Sequence, residues 1–130
     1  MKKTKMPMYS SHVQAGFPSP ADDHVENKLD LNELLIKRPA STFFVRVEGD
    51  SMKDIRIHQG DILIVDRSLT PVSGSVVIAV LNGEMTVKKI RRTKTKLFLV
   101  PENDSYPEIE VKEDEEFTIW GVVTNVIHNL

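Results

Sequence analysis

Gly49-Asp50-Ser51-Met52 follows directly on a run that ends at Glu48, and the glycine permits a sharp turn presenting the Ser51 hydroxyl at a strand end. A presented serine is a candidate nucleophile. The backbone N–H groups of Asp50 and Ser51 can converge on a developing oxyanion, a device whose single donors are worth ~3 kcal/mol in other enzymes. Most Gly-Asp-Ser triplets are simply turns, so the serine needs a base to mean more. The four histidines are His12, His24, His58 and His128. His58 lies in the hydrophilic turn Ile57-His58-Gln59-Gly60-Asp61 and reads as an exposed loop residue, while the others lie in an N-terminal stretch or near the C-terminus. The absence of cysteine excludes a thiol nucleophile, a zinc-thiolate cluster and any disulfide, and fits a reducing compartment. No HExxH pair, clustered-acid spacing or glycine-rich phosphate loop is present, so neither metal nor cofactor is expected. The remaining base is lysine.

In Glu84-Met85-Thr86-Val87-Lys88-Lys89-Ile90, strand alternation places Met85, Val87 and Lys89 on one face and Thr86, Lys88 and Ile90 on the other. A lysine acts as general base only when neutral, which requires its pKa to fall by ~3 units, a loss of ~4 kcal/mol of charge stabilisation. Burial under apolar cover does this. Thr86 can hold the amine through its hydroxyl without the negative charge that an aspartate would bring. The residues alone leave open that Lys88 and Lys89 are ordinary exposed strand lysines.

These groups need a scaffold, and 130 residues suffice for one domain with a real apolar core. Net charge is −2 with both signs mixed, which gives no global polycation for nucleic acid. Residues 1–41 are polar and carry four of the prolines, Pro7, Pro18, Pro20 and Pro39, and read as a flexible N-terminal arm. Ser19-Pro20-Ala21-Asp22 and Asp30-Leu31-Asn32-Glu33 each have the cap of a short helix, the second stopped by Pro39. Residues 42–130 are expected to form a β domain that would be the catalytic one if Ser51 and Lys88 act as above, with strands expected over 42–48, 61–66, 75–81, 84–91, 97–101 and 117–127. Asn82-Gly83 is a hairpin signal, because a type I′ turn needs positive φ at both central residues. The expected fold is mainly β, a mostly antiparallel sheet curled towards a barrel.

Gly49-Asp50-Ser51-Met52, Gly60-Asp61-Ile62-Leu63-Ile64-Val65-Asp66 and Thr86-Val87-Lys88-Lys89 occur together and in order, and this combination resembles the LexA and UmuD family of self-cleaving proteins. The resemblance covers residues 13–127, including Ala15-Gly16-Phe17-Pro18-Ser19-Pro20 and Asp30-Leu31-Asn32-Glu33-Leu34-Leu35. It implies that Ser51 is the nucleophile, Lys88 the general base and Thr86 a supporting hydroxyl, with Lys89 a bystander. It also implies that the bond cut is the chain's own Ala15-Gly16 peptide, with Val13 and Phe17 shielding the amine from water. Alanine before the glycine is the LexA-like variant, where UmuD more often has cysteine. Gly16 and Ser51 are 35 positions apart, a tether that spans well over ~100 Å when extended, so attack within one chain is geometrically open.

The UmuD branch further implies a homodimer, cleavage stimulated by a RecA filament on single-stranded DNA, and assembly of the shortened form with a UmuC-type polymerase for error-prone lesion bypass. Fifteen residues precede Gly16, too few for a helix-turn-helix, so no sequence-specific DNA binding is expected. The basic start Met1-Lys2-Lys3-Thr4-Lys5 lacks the apolar run of a signal peptide, and no stretch approaches the roughly 18 apolar residues of a membrane span, so a cytoplasmic location is expected. That argues against a membrane-anchored signal peptidase, which the Gly-Asp-Ser-Met stretch and lysine base also resemble. A second alternative is a non-catalytic relative that only docks a polymerase. The basic stretch from Lys88 to Lys96 lacks interleaved aromatics and reads as a solvated hairpin edge, Glu113-Asp114-Glu115-Glu116 as a charged loop, and Trp120 as core or dimer contact.

Overall fold

From Thr42 onward the regular elements among the described residues are all strands: β1 Thr42–Arg46, β2 Ile62–Asp66, β3 Val76–Leu81, β4 Glu84–Arg92, β5 Leu97–Val100, β6 Ile109–Val111 and β7 Phe117–Ile127. The computed structural model describes residues 5–8, 15, 28–49, 52, 56–103 and 105–130. The chain divides into two units, Met1–Lys37 and Arg38–Leu130.

In the second unit, one antiparallel sheet has the order β1-β2-β7-β3-β4-β5-β6. Asn82 and Gly83 have φ of +51° and +83°, the left-handed pair of a type I′ turn, and they fold β3 and β4 into the expected hairpin. The expected curl towards a barrel is not realised. β1 and β6 each pair with a single neighbour, so these two edges never meet and the sheet stays open. Strand β6, absent from the sequence expectation, is a short edge piece paired with β5.

β7 carries the organisation of the sheet because it joins β2 to β3. Its register shifts between Ile64 and Val65 of β2, and again between Ile78 and Ala79 of β3. Each shift leaves an extra residue in β7, Thr124 in the first and Trp120 in the second, which adds local twist. Trp120 packs on one apolar cluster, its ring 5.4 Å from that of Phe43 and beneath the Arg67 guanidinium at 4.5 Å, while Arg67 Nε donates to its carbonyl at 2.8 Å.

Both sheet faces are apolar. Leu63, Val65 and Ile78 pack with Val47, Met52 and Ile57 of the adjoining loops on one side, and Val77, Ala79, Ile90 and Leu99 form a second cluster. Full burial of each large aliphatic side chain contributes about 1.5–3 kcal/mol.

In the first unit, Met6 and Leu29 exchange backbone hydrogen bonds of 2.7 and 2.6 Å. Helix α1, Leu31–Leu35, is capped as expected: the Asp30 carboxylate accepts from the Asn32 N–H at 2.9 Å. The helix ends before Pro39 is reached. Pro39 instead opens a 3₁₀ turn, Pro39–Ser41, where its fixed φ suits the first helical position. The helix expected at Ser19-Pro20-Ala21-Asp22 lies outside the described residues.

Candidate active site

Lys88 sits in the middle of β4, directly across from Val77, while Thr86 faces Ala79 and Ile90 faces Leu99. Period-2 alternation puts Lys88 on the same face as Thr86 and Ile90. Val77, Ala79, Ile90 and Leu99 are fully buried, and Lys88 is only 9% exposed. Burial pushes the Lys88 amine below the ordinary lysine range. A cleft of 320 Å³ opens beside it, lined by Thr86, Lys88, Leu81, Leu99, Tyr106 and Ile109 among others. A second, of 240 Å³, reaches the other side of Thr86 and runs to Val45, Val47 and Glu48 at the end of β1.

Lys89 lies one residue on and on the other face. Its side chain is 36% exposed and its ammonium pairs with Glu102 at 2.7 Å. The basic stretch continues in the same way, Arg91 pairing with Glu108 and Lys96 lying 3.8 Å from Glu110. The acidic loop is tied down as well: Glu115 accepts from the Lys112 N–H and from the Asn82 side chain, which hold its carboxyl low.

Asp50 and Ser51 lie outside the described residues, but their flanks are fixed. Val47 exchanges backbone hydrogen bonds with the loop before β2, donating to Asp61 at 2.9 Å and accepting from Gly60 at 2.8 Å. Gly49 has φ of +85° with nothing near its absent Cβ, so glycine serves the turn itself rather than close packing. Met52 is sealed in the core, 1% exposed. Ala15 is an exposed bend in the first unit, and Gly16 lies outside the described residues. The structure therefore brings together Lys88 and Thr86 of the expected site residues.

A constellation that sequence reasoning missed lies at the start of β2. Because Ile62 pairs with Ile127, Asp61 and His128 come next to each other in register. Asp61 Oδ1 is 2.6 Å from His128 Nδ1, and its Oδ2 accepts from the His58 N–H at 2.9 Å. Burial raises the Asp61 pKa, but the His128 hydrogen bond, the His58 N–H and the charges of both imidazoles outweigh it and hold the carboxyl low. His58 is an exposed loop residue, as its turn suggested, yet it is not isolated: its ring lies 5.1 Å from that of His128. The signal is invisible without the β2–β7 register, since the partners are 67 residues apart.

The chain belongs to the Peptidase S24-like family, whose pattern matches residues 7–124. Within that class it is similar to Protein SamA of Salmonella typhimurium, 48% identical over 94% of this chain and 84% of that protein. Protein MucA of Escherichia coli is 44% identical over 92% of this chain and 82% of that protein. LexA repressor of Shewanella piezotolerans is 40% identical over 90% of this chain and 57% of that protein. The LexA and UmuD resemblance carried by the motifs is thus borne out. Among the described residues, no helix is long and apolar enough to cross a membrane.

Proposed function

We propose that the chain is a self-cleaving serine peptidase of the SOS response that cuts its own Ala15-Gly16 bond. Neutral Lys88 takes the proton as Ser51 Oγ attacks the Ala15 carbonyl carbon. The Asp50 and Ser51 N–H groups stabilise the tetrahedral oxyanion. Lys88 returns the proton to the Gly16 nitrogen as the C–N bond breaks, leaving an Ala15 ester on Ser51. Water, deprotonated by Lys88, then releases the Ala15 carboxylate and regenerates Ser51. Thr86, on the same face, steadies the amine.

The observation that carries this reading is the burial of Lys88 beside Thr86, which lowers its pKa while Lys89 stays ion-paired at the surface. A tethered bond is present at an effective concentration of order mM, so slow, triggered processing needs little substrate affinity. The trigger in this reading is a RecA filament on single-stranded DNA, and the shortened homodimer then joins a UmuC-type polymerase in the cytoplasm for translesion synthesis.

Mass spectrometry of the purified protein tests it, after incubation at raised pH and separately with RecA, ATP and single-stranded DNA. Fragments ending at Ala15 and beginning at Gly16 are expected, and Ser51→Ala abolishes both. An intact chain under both conditions would leave the non-catalytic docking role instead.

A further inference from the structure

We propose that His58, Asp61 and His128 bind one borderline divalent cation of the zinc or nickel kind, clipping the turn before β2 to the end of β7. The donor atoms of these three side chains all lie within 4.8 Å of one another. They come from segments that are distant in sequence and that the β2–β7 pairing holds in fixed register. The Asp61 side chain is 4% exposed and divides its oxygens between the imidazoles: Oδ1 lies 2.6 Å from His128 Nδ1 and Oδ2 lies 3.9 Å from His58 Nδ1.

The spacing suits a metal after small adjustments. Tetrahedral coordination at zinc-ligand distances of about 2.0–2.1 Å places ligand atoms about 3.3 Å apart. The Asp61–His128 pair must open by ~0.7 Å, and any pair of the three donors near their 4.8 Å limit must close by up to ~1.5 Å, through rotation of the imidazoles. The imidazoles can make these movements because their side chains are 48% and 44% exposed, while the Asp61 backbone is pinned by hydrogen bonds to His58 and Val47. That exposure also gives a cation an entry path and leaves the remaining coordination position to water.

The donor set selects the class of metal. Two imidazoles and one carboxylate suit zinc, nickel or copper, whereas magnesium and calcium require mostly oxygen ligands. The two rings lie 5.1 Å apart at 37°, and each turns its Nδ1 towards the buried Asp61 carboxylate, whose charge a shared dication would neutralise. The function of such a clip is structural. It would fasten the loop that contributes buried Ile57 to the core against the chain's last strand.

Equilibrium dialysis of the full chain against zinc sulfate, nickel sulfate and magnesium chloride, with ring-proton NMR of the histidines, tests the assignment. The background variant H12A/H24A removes the two histidines of the arm. One zinc per chain is expected in the native protein and in this background, with the His58 and His128 resonances perturbed together and no magnesium bound. H58A and H128A, changes at exposed side chains, should each weaken zinc binding at least ~10-fold. H58Q and H128Q are the second pair should either alanine variant unfold. Failure of the folded native chain to take up zinc or nickel, zinc binding lost in H12A/H24A, or zinc binding unchanged in the His58 and His128 variants would each overturn the proposal.

Discussion

Lys88 and Asp66 are buried to nearly the same degree, 9% and 4% exposed, yet the fold treats their charges in opposite ways. At the end of β2, Asp66 accepts from Ser68 Oγ at 2.7 Å, Ser41 Oγ at 2.8 Å, the Ser68 N–H at 2.9 Å and Arg38 at 3.1 Å. The two Ser68 hydrogen bonds lead, and despite desolvation the carboxyl falls to about 2. At Lys88 burial itself moves the pKa, towards the neutral amine. Depth alone therefore does not make a base. Donors gathered round buried Asp66 hold it charged, whereas at Lys88, which shares its face with Val77, Ile90 and Leu99, desolvation leads and favours the neutral amine.

The sharpest way to break this contrast is to remove the amine. Lys88→Ala should slow self-cleavage by about 10²–10⁴-fold, read as the yield of the Gly16-initiated fragment. Lys88→Arg should do no better, because a guanidinium stays protonated. Thr86→Asp makes the Lys88 face resemble the Asp66 corner by adding a carboxylate. The amine then holds its proton, each unit of pKa rise lowers the neutral fraction tenfold, and the alkaline limb of the rate–pH profile should move upward. Thr86→Val should cost only about fivefold, the worth of one net hydrogen bond of ~1 kcal/mol.

The opposite corner is tested by acid. Asp66 has its folded pKa below the unfolded 3.8, at about 2, so its contribution to stability is present above pH 3.8 and lost as pH falls towards 2. Denaturant melts across that window should show the loss, and Asp66→Asn should flatten it while lowering stability at neutral pH. Lys89→Ala is the smallest change. It removes an exposed pair with Glu102, worth about 0–1 kcal/mol, and should leave the cleavage rate within about twofold of the native value on that scale.

The difference between the two lysines was legible in the sequence because a strand has period 2, and β4 carries no irregularity between Glu84 and Lys89. The hairpin was legible for a similar reason, since Asn82-Gly83 names its own turn. Six strands begin and end within two residues of the expectation, but β6 escaped it. Ile109–Val111 is too short to show alternation, and it forms only because β5 offers an edge. Features that depend on bringing distant segments together were hidden: the placement of Trp120 and Thr124 at register shifts in β7, the juxtaposition of Asp61 with His128, and the Ser41 and Arg38 donors to Asp66. An open sheet instead of a curl is of the same kind, since closure depends on whether β1 and β6 meet. Of the candidate site, local alternation placed Lys88 and Thr86 on one face; the resemblance singled out Lys88 as the proposed base, Ser51 as the proposed nucleophile and Ala15-Gly16 as the proposed scissile bond.

A direct measurement is an NMR titration of the lysine ε-carbons in the Ser51→Ala protein, which keeps the chain whole throughout. Lys88 should lose its proton at lower pH than Lys89 and the other surface lysines. Titration of Lys88 together with them, or above them, would mean that its amine stays charged and cannot serve as the base.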